Sequence, residues 1–387
     1  MEKSLLFLPG PVQVADAVLK AMSRPLENHR GPEFAALLAE VAGRMQPVFE
    51  TSGPVLLLGC SGTGGLEAAV TSLFSPGDRL LACPVGVFGK RLAAIARAFG
   101  CEVEELETPN GSALDPAALA ARLEADTGKR IAGVLLTHNE TSTGVQCDMA
   151  LYAPALRAHG ALSVVDSVSG LGAGPFHMEA WGYDAVVTAS QKALAAPPGI
   201  AMVALGKRAV GQLERARAPR FYLDLRRALE FSAKGQTPWT PPISIVYALD
   251  AALTRYERTG AAAGWERHAL YACAIRAAFE ALGFTIFSRP GAHSRTVVAA
   301  QPPEGIAADD LVELLRKDRV ILSGGQVELA GKIVRMGTMG DITQTDVLGA
   351  IGAIETTLLA ADVPVHIGAG VKAALSVFLN REVAVPV

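Results

Sequence analysis

An α/β architecture built on a mostly parallel sheet, followed by a smaller α+β domain, is what this sequence predicts, and three observations carry the prediction. Short apolar runs alternate with helical stretches through the first two-thirds of the chain. Most of these runs are continuously apolar rather than alternating, as strands covered on both faces are. After the Pro- and Thr-dense segment QTPWTPP at 236–242, the order changes to a long helical stretch and then to mixed elements.

The apolar runs predict strands over 55–58, 79–82, 131–137, 161–165, 185–188 and 200–204. Helical patterns lie between several of them, over 66–73, 90–99 and 116–125. The stretch 243–281 reads as helical with an interruption near Gly260 and Gly264, where two glycines weaken the pattern. Strands over 296–300, 320–322 and 333–336 follow, with helices over 308–317 and 343–361. The predicted division is an N-terminal arm and large domain over 1–259, then a small C-terminal domain over 260–387. The tail 365–387 is apolar with a helical middle.

Composition narrows the function classes. The 387 residues are half hydrophobic and carry a formal net charge of -3, so no global field favours nucleic acid or an anionic membrane. Any anion site must be local. Cys60, Cys83, Cys101, Cys147 and Cys273 are scattered without a C-x-x-C pair, which points to buried thiols in a reducing compartment. The opening segment 1–10 has neither a basic region nor an apolar core suited to secretion, and no run reaches membrane-spanning length uninterrupted. The expectation is a cytoplasmic protein.

Three local patterns carry chemistry. Ser61-Gly62-Thr63-Gly64-Gly65 stands between a strand and a helix. Glycines let backbone N–H groups converge, and the helix start adds partial positive charge, so the pattern suits a phosphate or simply a tight turn. It has neither the Lys-Ser/Thr of a Walker loop nor the G-x-G-x-x-G register. Asp166 ends a strand in ALSVVDSVSG, at the crevice where open α/β sheets bind ligands. There it is either a counter-ion for a protonated ring nitrogen or a turn cap. Lys192 follows Ser190 and Gln191 among small apolar residues, where desolvation would depress its pKa and permit chemistry with a carbonyl group. Anion turn, carboxylate and amine, in this order, are what pyridoxal phosphate requires.

With SGTGGLEAA, THNETSTGV, VVDSVSGLG and SQKALAAPPG in hand, the chain resembles the class V aminotransferases of fold type I, and within them the alanine–glyoxylate and serine–pyruvate or serine–glyoxylate enzymes. The likeness runs from LFLPGPVQV near the start to VRMGTMGDI near the end. It implies pyridoxal 5'-phosphate as cofactor, with Lys192 as the Schiff-base lysine and Asp166 as the partner of the pyridine nitrogen. Ser61, Gly62, Thr63 and Gln191 match phosphate contacts. Phe88 stands where the family stacks an aromatic on the ring, Val168 where it packs the opposite face, and Thr141 near the ring oxygen. Thr237 and Thr240 fall where the family reaches across a homodimer to the neighbouring phosphate, although some relatives have Tyr at the place of Thr237. Arg335 matches the arginine that holds the substrate α-carboxylate, and Gly10 in Pro9-Gly10-Pro11 matches a segment lining the substrate pocket.

The implied reaction passes an amino group from alanine or serine to glyoxylate or pyruvate. Phosphoserine aminotransferases of the same class carry a His-Arg pair near the place of His29 and Arg30, which leaves a phosphate-binding role and a structural role open for that pair. Cysteine desulfurases need a reactive cysteine on a late loop, whereas Cys273 lies in the helical pattern YACAIRAAFE.

Overall fold

The computed structural model describes residues 4–380; residues 1–3 of the opening segment and 381–387 of the tail lie outside the described residues. Seven strands form the main sheet: β1 Val55–Leu58, β2 Arg79–Cys83, β3 Glu102–Glu105, β4 Ile131–Thr137, β5 Leu162–Asp166, β6 Ala185–Ala189 and β7 Ala201–Leu205. Their spatial order is β1-β7-β6-β5-β4-β2-β3. Neighbours from β6 across to β3 run parallel, and β7 lies antiparallel to both β1 and β6. The central strands are buried on both faces, as their unbroken apolar runs require.

All six predicted strands of this sheet are present, with small shifts. The strand predicted over 161–165 extends to Asp166, so the carboxylate belongs to the last strand residue. Two of the elements that the sequence did not predict bear on this sheet and its surroundings. Strand β3, sequence EVEE, forms the sheet edge with its charges turned outward, a common way to block further strand pairing. A helix over Pro32–Phe49 begins with proline in its first turn and ends at Glu50 in a left-handed conformation.

A further correction matters for the site. The helix predicted over 66–73 begins at Gly62, with Ser61 at its N-cap. Gly62, Thr63, Gly64 and Gly65 are therefore the first turn of the helix and not a loop before it. Their N–H groups are among those that a helix leaves without internal partners.

The long helical stretch divides into helices Ile243–Thr259 and Ala261–Ala281, with Gly260 between them at φ +80°. Beyond it, β8 Thr285–Ile286, β9 Val297–Gln301, β10 Ser323–Gly324 and β11 Val334–Gly337 form an antiparallel sheet of order β8-β9-β11-β10. The predicted strand 320–322 is present as Val320–Ile321 but pairs instead with Leu5–Leu6, in parallel. Helices Ala308–Lys317 and Gln344–Ala360 match their predictions, and Ala369–Leu379 occupies the middle of the apolar tail.

Apart from Phe7, one buried cluster draws only on residues between Leu270 and Phe378. We propose the domain division at 259/260 on that basis. Among the described residues, no helix is long and apolar enough to cross a membrane.

Candidate active site

The ends of β4, β5 and β6 converge with the start of helix Gly62–Leu73. Asp166 closes β5 and is buried. Its Oδ1 accepts from the Val168 N–H at 3.0 Å, while Oδ2 makes no hydrogen bond among the described residues. Burial pushes this carboxyl up to about 6. The Val168 N–H, Lys192 and Arg91 pull it down, and Glu140 pushes it further up. The turn-cap reading therefore accounts for one oxygen of two. Val168 packs against the glycine turn so closely that a Cβ on Gly62 would lie 2.8 Å from Val168 Cγ2.

Lys192 follows β6 by three residues and is nine-tenths buried. Desolvation brings its amine down to about 8, opposed by Asp166 and assisted by Arg335 and Arg91. Nζ donates to the Pro9 carbonyl at 2.8 Å. Gly10 follows at φ +130°, and a Cβ there would come within 2.7 Å of Lys192 Cδ and Cε. Glycine is required twice over, for its backbone angle and for the room its missing side chain leaves to the lysine. The N-terminal segment thus lies against the amine. Beside Lys192, Gln191 has a buried Oε1 with no hydrogen-bond partner among the described residues.

Arg335 projects from β11 and is buried. Nε donates to the Gly324 carbonyl at 2.8 Å and Nη1 to the Thr141 carbonyl at 3.2 Å, while Nη2 has no partner among the described residues. Two main-chain oxygens aim the guanidinium and leave Nη2 available to an anion such as a carboxylate. Thr141 is buried and donates from Oγ1 to Ser169 Oγ at 2.8 Å. Ser169 donates in turn to the Asn139 carbonyl at 3.0 Å. Asn139 Oδ1 receives Ser294 Oγ at 2.6 Å, which ties the loop to the chain entering β9.

Glu140 was not singled out by sequence reading. It is fully buried, and its carboxylate accepts four hydrogen bonds: Phe88 N–H at 3.0 Å, Gly89 N–H at 3.1 Å, Ser142 N–H at 3.0 Å and Ser142 Oγ at 2.6 Å. It therefore fixes the start of helix Val87–Ala98, and with it half-buried Phe88, to the loop bearing Thr141. The available signal was the polar run from His138 to Thr143 directly after an apolar strand, all of it buried. His138 also lies within it, with Nδ1 2.8 Å from Ser167 Oγ, and burial holds its ring down to about 4.

The remaining predicted residues lie at the open side. Ser61 is exposed and its hydroxyl makes no cap bond, and Thr63 is half-buried. Thr237 Oγ1 donates to the Trp239 carbonyl at 2.6 Å, so that hydroxyl is already engaged, whereas Thr240 is exposed. Neither makes a hydrogen bond to residues 61–63 of its own chain. Arg30 spans the same segment, donating to Gln236 Oε1 at 3.1 Å and to the carbonyls of Thr237 and Pro238 at 2.7 and 3.3 Å. Cys273 sits within helix Ala261–Ala281, with Arg276 Nη2 3.0 Å from its sulfur, and not on a loop. Among the described residues, no group of three His, Cys, Asp or Glu side chains converges as a metal-ligand set.

A turn of helix N–H groups without internal partners, a buried carboxylate with an oxygen left unpartnered among the described residues, and a desolvated amine together fit pyridoxal phosphate. Comparison with known proteins agrees. The family model Aminotransferase class-V matches residues 8–346. The chain is 37% identical to a protein of Anabaena cylindrica named soluble hydrogenase 42 kDa subunit, over 98% of this chain and all of that one. It is 36% identical to the L-aspartate–glyoxylate aminotransferase of Paracoccus denitrificans, over 95% and 94% of the two chains. The crystal structure of pyridoxamine–pyruvate aminotransferase from Mesorhizobium loti superposes with a TM-score of 0.92 at 32% identity, covering 98% of this chain and 97% of that one. The architecture is that of fold type I, and the family is one that uses pyridoxal phosphate. The chain belongs to the class V aminotransferases, and it is a transaminase.

Proposed function

We propose that this chain moves an amino group from a small amino acid, alanine or serine, to glyoxylate or pyruvate, with pyridoxal phosphate held at Lys192. The observation that carries the reading is the pairing of the desolvated Lys192 amine with buried Asp166, whose Oδ2 has no partner among the described residues. When bound, the cofactor supplies an electron sink for the charge that develops at the substrate Cα. Asp166 keeps the ring nitrogen protonated. Phe88 and Val168 cover the two faces of the ring. The start of helix Gly62–Leu73, with Ser61, Thr63 and Gln191, receives the phosphate. With the cofactor bound, Lys192 would be its attachment point, and its Nζ, whose burial brings it down to about 8, would be free near neutral pH to take the proton from the substrate Cα. Arg335 orients the α-carboxylate, with Gly10 lining the pocket. Among the described residues Arg335 is the one arginine that is fully buried, which favours substrates with one carboxylate.

Half-reactions followed by the cofactor's visible absorbance test the donor. Alanine and serine should exceed aspartate and phosphoserine by about tenfold or more in kcat/KM, the scale of one charge-assisted contact present or absent. A preference for aspartate or phosphoserine would overturn this assignment. Because the Arg30 guanidinium is engaged with residues 236–238, Arg30→Ala should leave alanine and serine kinetics within about threefold. It should instead lower stability by about 1–2 kcal/mol through the loosened loop. A phosphoserine activity that disappears in this variant would carry the alternative reading.

We also propose a two-fold homodimer in which Thr240, exposed within its own chain, completes the phosphate site of a second copy. Sedimentation at assay concentration should show a dimer, and Thr240→Ala should weaken cofactor retention. A fully active monomer would exclude the arrangement.

A further inference from the structure

In the proposed phosphate cradle, Ser61, Thr63, Gln191 and the N–H groups of residues 62–65 are all neutral. A phosphate monoester carries about 1.5 to 2 negative charges at neutral pH. The start of a helix offers roughly half a positive charge. The cradle as read from the family's pattern is therefore short of a cation.

Arg91 stands where one would serve. It lies on helix Val87–Ala98, one turn beyond Phe88. Its Nη1 is 3.5 Å from Thr63 Oγ1, at the outer limit of hydrogen bonding, and its Cζ is 4.7 Å from the centroid of the Phe88 ring. The side chain is exposed, and no carboxylate among the described residues pairs with it. Its charge reaches inward, lowering both the Asp166 carboxyl and the Lys192 amine. An arginine without a counter-ion, held against an aromatic plate and directed at the hydroxyl of an anion turn, is suited to bind an anion there.

We infer that Arg91 is the cationic member of the cofactor's phosphate site, and that Phe88 orients its guanidinium while covering the ring. This rests on the reading that the chain binds pyridoxal phosphate. In that role Arg91 is a positioning residue: it holds the phosphate end, and the reacting atoms lie at the other end of the ring. The alternative is a charge that only props Phe88.

The test compares the full-length cofactor-free chain with Arg91→Met, which keeps the aliphatic cover on Phe88, and Arg91→Lys, which keeps the charge without the fork. Each is titrated with pyridoxal phosphate and with pyridoxal, which has the same ring and aldehyde and no phosphate. Absorbance reports the dissociation constants. For pyridoxal phosphate, Arg91→Met should raise Kd by about ten- to a hundredfold, the scale of a lost charge-assisted contact, with Arg91→Lys between it and the parent. For pyridoxal, the three proteins should agree within about twofold. Inorganic phosphate should raise the melting temperature of the cofactor-free parent more than that of Arg91→Met. Equal weakening toward both ligands would assign Arg91 to the support of Phe88 and overturn the inference, as would unchanged affinity for pyridoxal phosphate. A parent chain that binds no pyridoxal phosphate would instead remove the functional reading beneath it.

Discussion

Lys192→Ala should abolish amino transfer, lowering turnover by at least about 10⁴-fold, while cofactor binding persists through phosphate and ring contacts. Removal of a general base alone costs about 10²–10⁴-fold, and this lysine is also the proposed attachment point. The cofactor-loaded variant should sediment and melt like the parent, because the amine's hydrogen bond within the chain goes to a main-chain oxygen at Pro9. Borohydride treatment of the parent should make the attachment irreversible on the peptide containing Gln191 and Lys192. Labelling at another lysine would displace Lys192 from its role. Retained turnover in the alanine variant would do the same.

Asp166→Ala should lower turnover by about 100-fold or more, the scale of losing a preorganised electrostatic contact made in the transition state. Near-normal turnover would reduce Asp166 to the turn cap that its bond from the Val168 N–H would already explain. A second consequence appears without cofactor. Burial raises this carboxyl from 3.8 to about 6, so between those values the folded chain holds a proton that the unfolded chain releases. Stability from this group is therefore lost as pH rises through that window, by on the order of 3 kcal/mol for a shift of this size. Asp166→Asn, neutral throughout, should lack this decline. Melting temperatures of the cofactor-free parent and the Asn variant at pH 4 and pH 7 would show whether the gap between them closes at low pH.

Much of this site was legible because its chemistry falls at strand ends. Continuous apolar runs announce buried parallel strands, and the polar residue that follows such a run lies at the crevice, which located Asp166 and Lys192. Arg335 was found by resemblance, and its aim was not readable: Thr141, whose carbonyl it uses, is 194 positions away. Glu140 was missed for a related reason. A glutamate that binds the N–H groups of Phe88 and Gly89 looks, in one dimension, like any solvated charge. Strand β3 was missed because EVEE pairs one side only and keeps its charges outward, so neither apolar continuity nor burial marks it. The glycine turn was read as a loop because glycine is a poor helix former, yet Val168 requires Gly62 to have no side chain, and that contact outweighs propensity.

The Arg335 guanidinium is fastened to two peptide carbonyls, at Gly324 and Thr141. Peptide oxygens are present whatever side chains stand at those positions. The anchor proposed for the carboxylate is thus inherited with the backbone path and is insulated from drift in its neighbours' identities. On the proposed reading, mutations around the pocket are free to change which side chain a substrate carries without disturbing how its carboxylate is held. An enzyme built this way acquires new donors and acceptors by altering the walls of the site while its grip stays constant.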